Sequence, residues 1–201
     1  MFKSLFNVES LNDFDKELLS SNLLGAKSLD ELHELEKDIT ADKILQLKLT
    51  PSIGNFDYAH FKTLHKELFK DIYVWAGMDR YDIGYRGVFT KGETEFTHGE
   101  RLPEVAQGLF DALRVENCFR DLDKEAFIKS AASFLNGLNI LHPFREGNGR
   151  TQRLFMELLA QNAGHELDLS TVNKSTMIQA SILGAKGQIV GFEKIVEKGV
   201  N

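Results

Sequence analysis

The sequence predicts a mainly α-helical fold with one small β-hairpin inserted among the helices. Only three prolines interrupt the 201 residues. Apolar residues recur at helical spacing over most of the chain, between the strong helix formers Leu, Ala, Glu and Lys. The helical pattern breaks between Trp75 and Pro103, where glycines are interspersed with aromatic and β-branched residues. A chain of this length suits one compact domain.

Eight segments carry the helical pattern. They are Leu11–Leu24, Ser28–Leu47, Phe56–Trp75, Arg101–Val115, Lys124–Leu141, Asn148–Ala163, Lys174–Leu183 and Val190–Lys198. Ser28 followed by Glu31 forms the capping-box pattern that starts a helix. The charged residues of this second helix predict a solvated face. These residues are Glu31, Glu34, Glu36 and Lys37.

The segment between Trp75 and Pro103 predicts the hairpin. Its glycines are Gly77, Gly84, Gly87 and Gly92. The strand-forming residues between them are Tyr81, Ile83, Tyr85, Val88, Phe89, Thr90, Thr94 and Phe96. Runs of such residues punctuated by glycine are typical of strands joined by turns.

The composition argues against several classes of protein. A formal net charge of -6 and a pI near 5.5 disfavour a nucleic-acid binder, which needs a clustered basic face. Cys118 is the only cysteine, so no internal disulfide forms and a reducing cytoplasm suffices. No stretch approaches the roughly 20 apolar residues that span a bilayer. We expect a soluble cytoplasmic protein with no nucleic-acid or membrane partner; export by a dedicated secretion system stays open.

One segment between two apolar helices, residues 142–153, carries the candidate chemistry. Its sequence is His-Pro-Phe-Arg-Glu-Gly-Asn-Gly-Arg-Thr-Gln-Arg. Pro143 disfavours helical geometry at His142 and so places an imidazole at the end of a helix. An imidazole titrates near neutrality and can serve as a general base. The alternative is a histidine that only packs against the helix end.

The residues that follow describe a phosphate site. Gly147 and Gly149 flank Asn148 directly before a new helix, where open N–H groups and the helix dipole favour an anion. Arg150 and Arg153 are three positions apart and therefore share a helix face. A polyphosphate would explain two cations beside a positive helix end. The alternatives are an ordinary tight turn and arginines that pair with surface carboxylates.

Glu146 precedes the glycines and is a candidate ligand for Mg²⁺, which takes one or two protein carboxylates plus water and phosphate. The alternative is an acid that is stabilised only by the helix dipole. A base, a metal carboxylate, an anion cradle and two arginines within twelve residues together match the needs of phosphoryl or nucleotidyl transfer.

This segment resembles the Fic family, whose motif reads His-Pro-Phe-x-Asp/Glu-Gly-Asn-Gly-Arg-x-x-Arg. Every fixed position is matched from His142 to Arg153. The resemblance extends to Trp75-Ala76-Gly77 and Arg80, and it covers most of residues 55–190. It implies a Fic-type helical bundle with a small β-hairpin flap. It also implies a single domain over residues 1–201, with a core at about 55–190 and a helical N-terminal extension at 1–50.

The resemblance implies a protein adenylyltransferase, with ATP as co-substrate and Mg²⁺ as cofactor. Such an enzyme moves AMP to a Tyr, Thr or Ser hydroxyl of a target protein and releases pyrophosphate. His142 would remove the hydroxyl proton, and Glu146 would bind Mg²⁺ across the α and β phosphates. The implied anion hole is Gly147, Asn148 and Gly149, and the implied ligands of the β and γ phosphates are Arg150 and Arg153.

In the Fic family the hairpin is a flap that clamps the target segment by strand addition, which fixes the register of the hydroxyl. The matching residues here are Thr90, Lys91, Gly92, Glu93, Thr94, Glu95 and Phe96. The segment Gly84-Tyr85-Arg86-Gly87 is expected to lengthen this hairpin relative to the commoner family pattern.

Many Fic proteins carry an inhibitory helix with the pattern Ser/Thr-x-x-x-Glu-Gly/Asn, whose glutamate pairs with the second motif arginine. In this chain Glu is followed by Gly or Asn only at Glu146 and Glu116, and neither completes the pattern. The resemblance therefore implies that an in-chain brake is absent. Either a small antitoxin-like partner carries the helix, or the enzyme is limited only by its supply of target.

Three other functions are possible from the sequence. A Fic-fold relative could use another phosphate donor, but a Doc-like kinase typically has Lys where this chain has Gly149. An inactive nucleotide-binding module would usually lack the histidine or the acid of the motif, and both are present. A metal hydrolase is disfavoured because the other histidines lack metal-binding spacing. These are His33, His60, His65, His98 and His165; we expect His60 to be partly exposed and His65 to pack.

Overall fold

A computed structural model describes residues 13–50, 54–92 and 94–201. Within these residues the chain forms eight α-helices and one two-stranded antiparallel sheet. The elements are α1 (Asp13–Ser20), α2 (Leu29–Leu49), α3 (Tyr58–Phe69), β1 (Phe89–Lys91), β2 (Thr94–Phe96), α4 (Leu102–Val115), α5 (Lys124–Leu141), α6 (Asn148–Asn162), α7 (Lys174–Ala185) and α8 (Val190–Gly199). The predicted fold class is confirmed.

Helices α5 and α6 form the centre of the molecule and carry the candidate motif between them. On α5 the buried apolar residues include Phe127, Ala131, Leu135 and Leu138, which repeat at helical spacing. Helices α4, α7 and α8 pack against α5, and α3 packs against α6. The loop between α5 and α6 is therefore anchored at both ends by buried helices.

Local sequence signals account for several helix starts. The Ser28 hydroxyl accepts a hydrogen bond from the N–H of Glu31 at 3.2 Å, as the capping-box pattern predicts. The carboxylate of Asp123 likewise accepts from the N–H of Ala126 at 2.9 Å at the start of α5. These caps satisfy N–H groups that have no partner inside the helix.

The third helix ends earlier than the predicted Phe56–Trp75, because long-range pairing replaces the helix after Phe69. The carbonyl of Ile72 accepts from the N–H of Leu23 at 2.8 Å, and Tyr73 forms a bridge with Asn22. The same pairing follows α1, which ends at Ser20 and not at the predicted Leu24; the predicted start at Leu11 lies outside the described residues.

The strands of the hairpin are shorter than predicted, and residues 84–87 lie outside them. The carbonyls of Arg86 and Gly87 nevertheless accept from the N–H groups of Glu100 and Gly99 at 3.0 and 2.9 Å, so this segment extends the pairing of the two arms beyond the strands. Tyr81 and Ile83 lie in turns, and Tyr85 also lies outside the strands. A turn replaces the predicted strand because Asp79 and Asp82 bond each other's backbone. The N–H of Asp82 donates to the Asp79 carboxylate at 2.8 Å, and the N–H of Asp79 donates to the Asp82 carboxylate at 3.0 Å. This turn precedes the hairpin.

The solvated face predicted for α2 is wrong at Glu36. This side chain is 4% exposed and lies between Leu32 and Thr40 on the buried stripe of the helix. Glu34, on the same helix, is exposed as predicted. Spacing alone does not separate the two glutamates, because burial of a charge requires partners from elsewhere in the fold.

Over residues 13–50, 54–92 and 94–201, no helix is both long and apolar enough to cross a bilayer.

Candidate active site

His142 ends α5 in a left-handed conformation, with φ of 39° and ψ of 57°. Its N–H donates to the carbonyl of Leu138 at 3.0 Å, and Pro143 then prevents another helical turn. The buried Arg80 holds this chain reversal in place. Its Nε donates to the His142 carbonyl at 3.0 Å, and its Nη2 donates to Leu141 at 3.3 Å. A guanidinium at the negative end of a helix is also favourable electrostatically.

The His142 imidazole is enclosed by the flap. Its ring stacks on Phe96 with 3.9 Å between centroids and lies 5.9 Å from the ring of Phe89. Neither ring nitrogen has a hydrogen-bond partner among the described residues. Burial lowers the pKa of His142 to about 3, and the cations of Lys91 and Arg80 act in the same direction. The imidazole is therefore neutral, with a free lone pair that can accept a proton.

Asn148 fixes the loop between His142 and the start of α6. Its Oδ1 accepts from the N–H of Phe144 at 2.9 Å, and its Nδ2 donates to the carbonyl of Phe144 at 2.6 Å. The side chain thus bonds the loop backbone through both its oxygen and its nitrogen. The backbone N–H of Asn148 has no acceptor within the helix and can face a ligand.

Different physical reasons account for the presence of glycine at the two glycine positions of the motif. Gly147 has φ of +79°, and a side chain there would collide with the ring of Phe69. Gly149 is exposed, and a methyl group would meet only the Arg153 guanidinium, at an ordinary 3.5 Å. The fold therefore requires glycine at 147 but not at 149, where the missing side chain keeps the backbone accessible.

The start of α6 presents open backbone donors. Thr151 makes the first intrahelical bond, from its N–H to the carbonyl of Gly147 at 3.1 Å. The N–H groups of Asn148, Gly149 and Arg150 therefore have no acceptor within the helix. Three such donors and the positive end of the dipole suit an anionic ligand.

The two arginines of the motif have different environments. Arg150 donates to Glu36 through Nη2 and to the Thr40 hydroxyl through Nη1 at 3.3 Å. Arg153 forms no hydrogen bond or ion pair with any described residue. Burial lowers the pKa of Arg153, and so does the charge of Arg150. Arg150 is fixed by partners on α2, whereas Arg153 has no such partner among the described residues.

Glu146 is poised to act as an ionised oxygen ligand. Burial opposes its ionisation, but Lys91, the Gly147 N–H and Arg150 together outweigh that effect and lower the pKa of Glu146. The Lys91 Nζ lies 3.6 Å from one carboxylate oxygen, and Arg150 lies 3.7 Å from the other. A single carboxylate beside open phosphate donors fits Mg²⁺, which keeps most of its ligands as water and phosphate oxygens.

His65 supports the loop from behind and was not identified from the sequence as part of the site. Its Nδ1 accepts from the N–H of Gly77 at 2.9 Å, so Nε2 carries the hydrogen and donates to the carbonyl of Glu146 at 3.1 Å. The ring stacks on Phe144 at 3.8 Å. The expectation that His65 packs agrees with its complete burial, whereas His60 is buried at 5% exposure and not partly exposed.

The predicted flap residues form a hairpin beside His142. The register pairs Phe89 with Phe96, Thr90 with Glu95, and Lys91 with Thr94. Glu93 lies outside the described residues. The N–H of Thr97 donates to the Ile140 carbonyl at 3.0 Å and so attaches the end of β2 to α5. The hairpin is thereby attached next to the base.

The remaining histidines do not build a metal site in the part of the chain that the structure describes. No group of three or more His, Cys, Asp or Glu side chains there is placed to hold a metal ion. His165, for example, stacks on Phe127 at 4.2 Å, and its Nε2 lies 3.1 Å from the Leu122 carbonyl.

Comparison with known proteins identifies the family. A model of the Fic/DOC family matches residues 55–160, just over half of the chain. The chain belongs to the Fic/DOC family. The family predicted from the motif is thereby confirmed.

The similarity of this Fic protein to its relatives extends beyond that segment. VbhT of Bartonella schoenbuchensis, named a protein adenylyltransferase, is 38% identical over 162 residues, which are 80% of this chain and 33% of VbhT. The y4lH protein of Sinorhizobium fredii is 38% identical over 170 residues, which are 84% of this chain and 83% of y4lH. The chain thus spans about a third of the length of VbhT and most of y4lH.

A solved Fic domain has the same fold. It is the N-terminal domain of a VirB-translocated Bep effector protein from Bartonella quintana, with bound ADP. The TM-score is 0.81 at 30% identity, over 90% of this chain and 89% of that one. The mainly α bundle with its small hairpin is therefore a Fic domain, as predicted.

Proposed function

We propose that this chain is a protein adenylyltransferase that moves AMP from ATP to a hydroxyl side chain of a target protein. The observation that carries the proposal is the neutral, unpartnered imidazole of His142 at one end of a loop whose other end is the open N-terminus of α6. A base and an anion site on one rigid loop are what transfer from a polyphosphate requires. The name of VbhT and the ADP in the Bartonella quintana domain support the same activity.

In the proposed reaction His142 accepts the proton of the target hydroxyl. The oxygen attacks the α-phosphorus of ATP, the bond from that phosphorus to its bridging oxygen breaks, and pyrophosphate leaves. The amides of residues 148–150 stabilise the negative charge that develops on the α-phosphate, because they are already oriented before the reaction. Arg153 binds the departing phosphates, since its guanidinium has no partner within the described chain.

Glu146 would hold Mg²⁺ against the phosphates. When bound, Mg²⁺ neutralises charge on phosphate oxygens and thereby favours departure of pyrophosphate. The chain's own contribution is an ionised carboxylate, which the Gly147 N–H orients at 2.9 Å. Lys91 occupies the other side of this carboxylate and would have to release it.

The hairpin would dock the target. Thr90, Lys91 and Glu95 are exposed on the flap, and neither strand pairs with a third strand among the described residues. An extended target segment paired there would present its hydroxyl towards His142, against which Phe96 is stacked. Target recognition would therefore depend mainly on backbone pairing.

We also propose a cytoplasmic setting in which a small antitoxin-like protein restrains the enzyme. Arg153 supports this, because it has no ion-pair partner among the described residues and a carboxylate from a partner protein could neutralise it and block the same phosphates. Co-purification of a small protein, and activation when its glutamate is replaced, would support the proposal. Unchanged activity after that replacement would exclude it.

The activity test uses ATP labelled at either the α or the γ phosphate. The purified chain is mixed with Mg²⁺ and a cell lysate, beside a His142→Ala variant. We expect transfer of the α label alone, lost in the variant, while nucleotide binding is retained because the base acts on the target. Transfer of the γ label would identify a kinase, and tight ATP binding without any transfer would identify an inactive module.

A further inference from the structure

The strongest feature that the proposed reaction does not use is a buried acid, Glu36, on α2. One carboxylate oxygen accepts from Nη2 of Arg150, and the other accepts from the hydroxyl of Tyr73. Helix α2 lies before the segment, residues 55–160, that matches the family model. A nearly inaccessible carboxylate with both oxygens occupied is costly to bury unless its partners are held in fixed positions.

The guanidinium of Arg150 is held on several sides. Thr40, one turn after Glu36, accepts from Nη1 at 3.3 Å and donates its own hydroxyl to the Glu36 carbonyl at 2.7 Å. The guanidinium carbon lies 4.9 Å from the centroid of the Phe69 ring. A planar guanidinium fixed through both Nη atoms and packed on an aromatic ring has a single orientation.

Arg150 nevertheless reaches the phosphate site. It is the third residue of α6, its side chain is 21% exposed, and it lies 3.7 Å from Glu146. Arg153, one turn further, has no such restraint. Arg150 is therefore pre-oriented and already paired with a carboxylate, whereas Arg153 has no hydrogen bond or ion pair within residues 13–50, 54–92 and 94–201.

We propose that Glu36 is a positioning residue that orients Arg150 towards the terminal phosphates of the nucleotide, so that α2 completes the nucleotide site. This inference rests on the proposed function only in taking a nucleoside polyphosphate as the ligand. The pre-oriented Arg150 loses little freedom on binding, which favours di- and triphosphates over a monophosphate. Because Glu36 neutralises the charge of Arg150, the net positive charge of the two arginines lies on Arg153.

The test is a comparison of three nucleotides bound to Glu36→Gln by calorimetry, without turnover. We expect affinity for ADP and for a non-hydrolysable ATP analogue to fall about tenfold, with AMP affected less than twofold, because only the terminal phosphates reach Arg150. The matched control is Glu34→Gln, an exposed position on the same helix, which should change none of the three affinities.

A double-mutant cycle then separates positioning from a general effect on folding. If Glu36 acts through Arg150, adding Glu36→Gln to Arg150→Gln should not lower ADP affinity further. Thr40→Val provides a second, milder variant with nearly the same shape, for which we expect about a threefold loss for ADP and none for AMP. If Glu36→Gln does not fold, the nucleotide affinities of Thr40→Val test the proposal in its place.

Two results would overturn the proposal. A rise in affinity for the ATP analogue in Glu36→Gln would mean that Glu36 blocks Arg150 and does not position it. An equal fall for AMP and ADP would mean that Glu36 only maintains the fold. Neither depends on transfer, so a failure of the proposed adenylyltransferase activity would be seen separately, as absence of α-label transfer by the unmodified chain.

Discussion

Gly149 is a residue whose identity the fold does not explain. It is exposed and helical, and a methyl group there would make only an ordinary contact with Arg153. A helical glycine costs stability relative to alanine, so its presence indicates a requirement that arises when a ligand is bound. In the proposed function, this requirement is the close approach of phosphate oxygens to the first turn of α6.

Gly149→Ala should therefore separate stability from binding. We expect the free energy of unfolding to rise by up to about 1 kcal/mol, because alanine is the better helix former. ADP affinity should fall at least tenfold, because the methyl group obstructs the open amides. Urea denaturation and calorimetry measure the two effects. Gly108→Ala, at another exposed helical glycine with free space around it, should leave ADP affinity unchanged.

His142 makes a second prediction at this scale. Because burial lowers its pKa to about 3, the free protein should show no protonation of this ring between pH 8 and 5, unlike an ordinary histidine near 6.5. NMR titration of the ring measures this directly, and the acid limb of kcat/KM should lie below pH 5. Phe96→Ala exposes the ring and should move its pKa back towards 6.5. A titration near 6.5 in the unmodified protein would contradict the enclosed geometry.

At the scale of elements, the site depends on how the turn before the flap meets the end of α5. Arg80 makes this connection, since its Nη2 donates to Thr97 at 2.6 Å as well as to Leu141, and its Nε donates to His142. Its own N–H donates to the Pro143 carbonyl at 2.8 Å. One side chain thus fixes the backbone of the base and the end of the hairpin together.

Arg80→Lys should reduce turnover more than binding. The guanidinium of Arg80 donates to the backbone carbonyls of three residues, Thr97, Leu141 and His142. A lysine ammonium does not reproduce this geometry, so at least one buried carbonyl loses its hydrogen bond, at a cost of about 1–3 kcal/mol. We expect kcat to fall at least tenfold with ADP affinity nearly unchanged, because α6 is not touched. Arg101→Lys, an exposed arginine, is the control. Loss of stability with full kcat would contradict the positioning of His142.

For the whole molecule, the buried neutral histidine His65 couples folding to pH. Burial lowers its pKa to about 3, whereas in the unfolded chain a histidine titrates near 6.5. Below pH 6.5 the His65 imidazole therefore binds a proton in the unfolded state but not in the folded state. The stabilisation is complete above pH 6.5 and falls steadily as the pH drops towards 3.

We expect His65 to contribute a loss of about 1.4 kcal/mol in the free energy of unfolding per pH unit below 6.5. Urea denaturation from pH 8 to 5 measures the slope. His65→Gln should reduce that slope by this amount, although the variant will be less stable at neutral pH because the stacking on Phe144 and the fit between Gly77 and Glu146 are lost. An unchanged slope would show that His65 is not the responsible group.

The sequence by itself determined the family, the helical class and the local architecture of the motif. Pro143 ends α5, Ser28 caps α2, and Gly147 directly precedes α6. Each of these features depends on a few neighbouring residues, so a pattern of types and spacings is enough to predict it.

Only the tertiary structure decided which polar residues serve the site from a distance. Glu36 and Arg150 are 114 positions apart, His65 and Glu146 are 81 apart, and Arg80 and His142 are 62 apart. The early end of α3 has the same origin, since Ile72 pairs with Leu23. The physical reason is that a buried polar group is stable only where the fold supplies its partner, and periodicity along one helix carries no information about that partner.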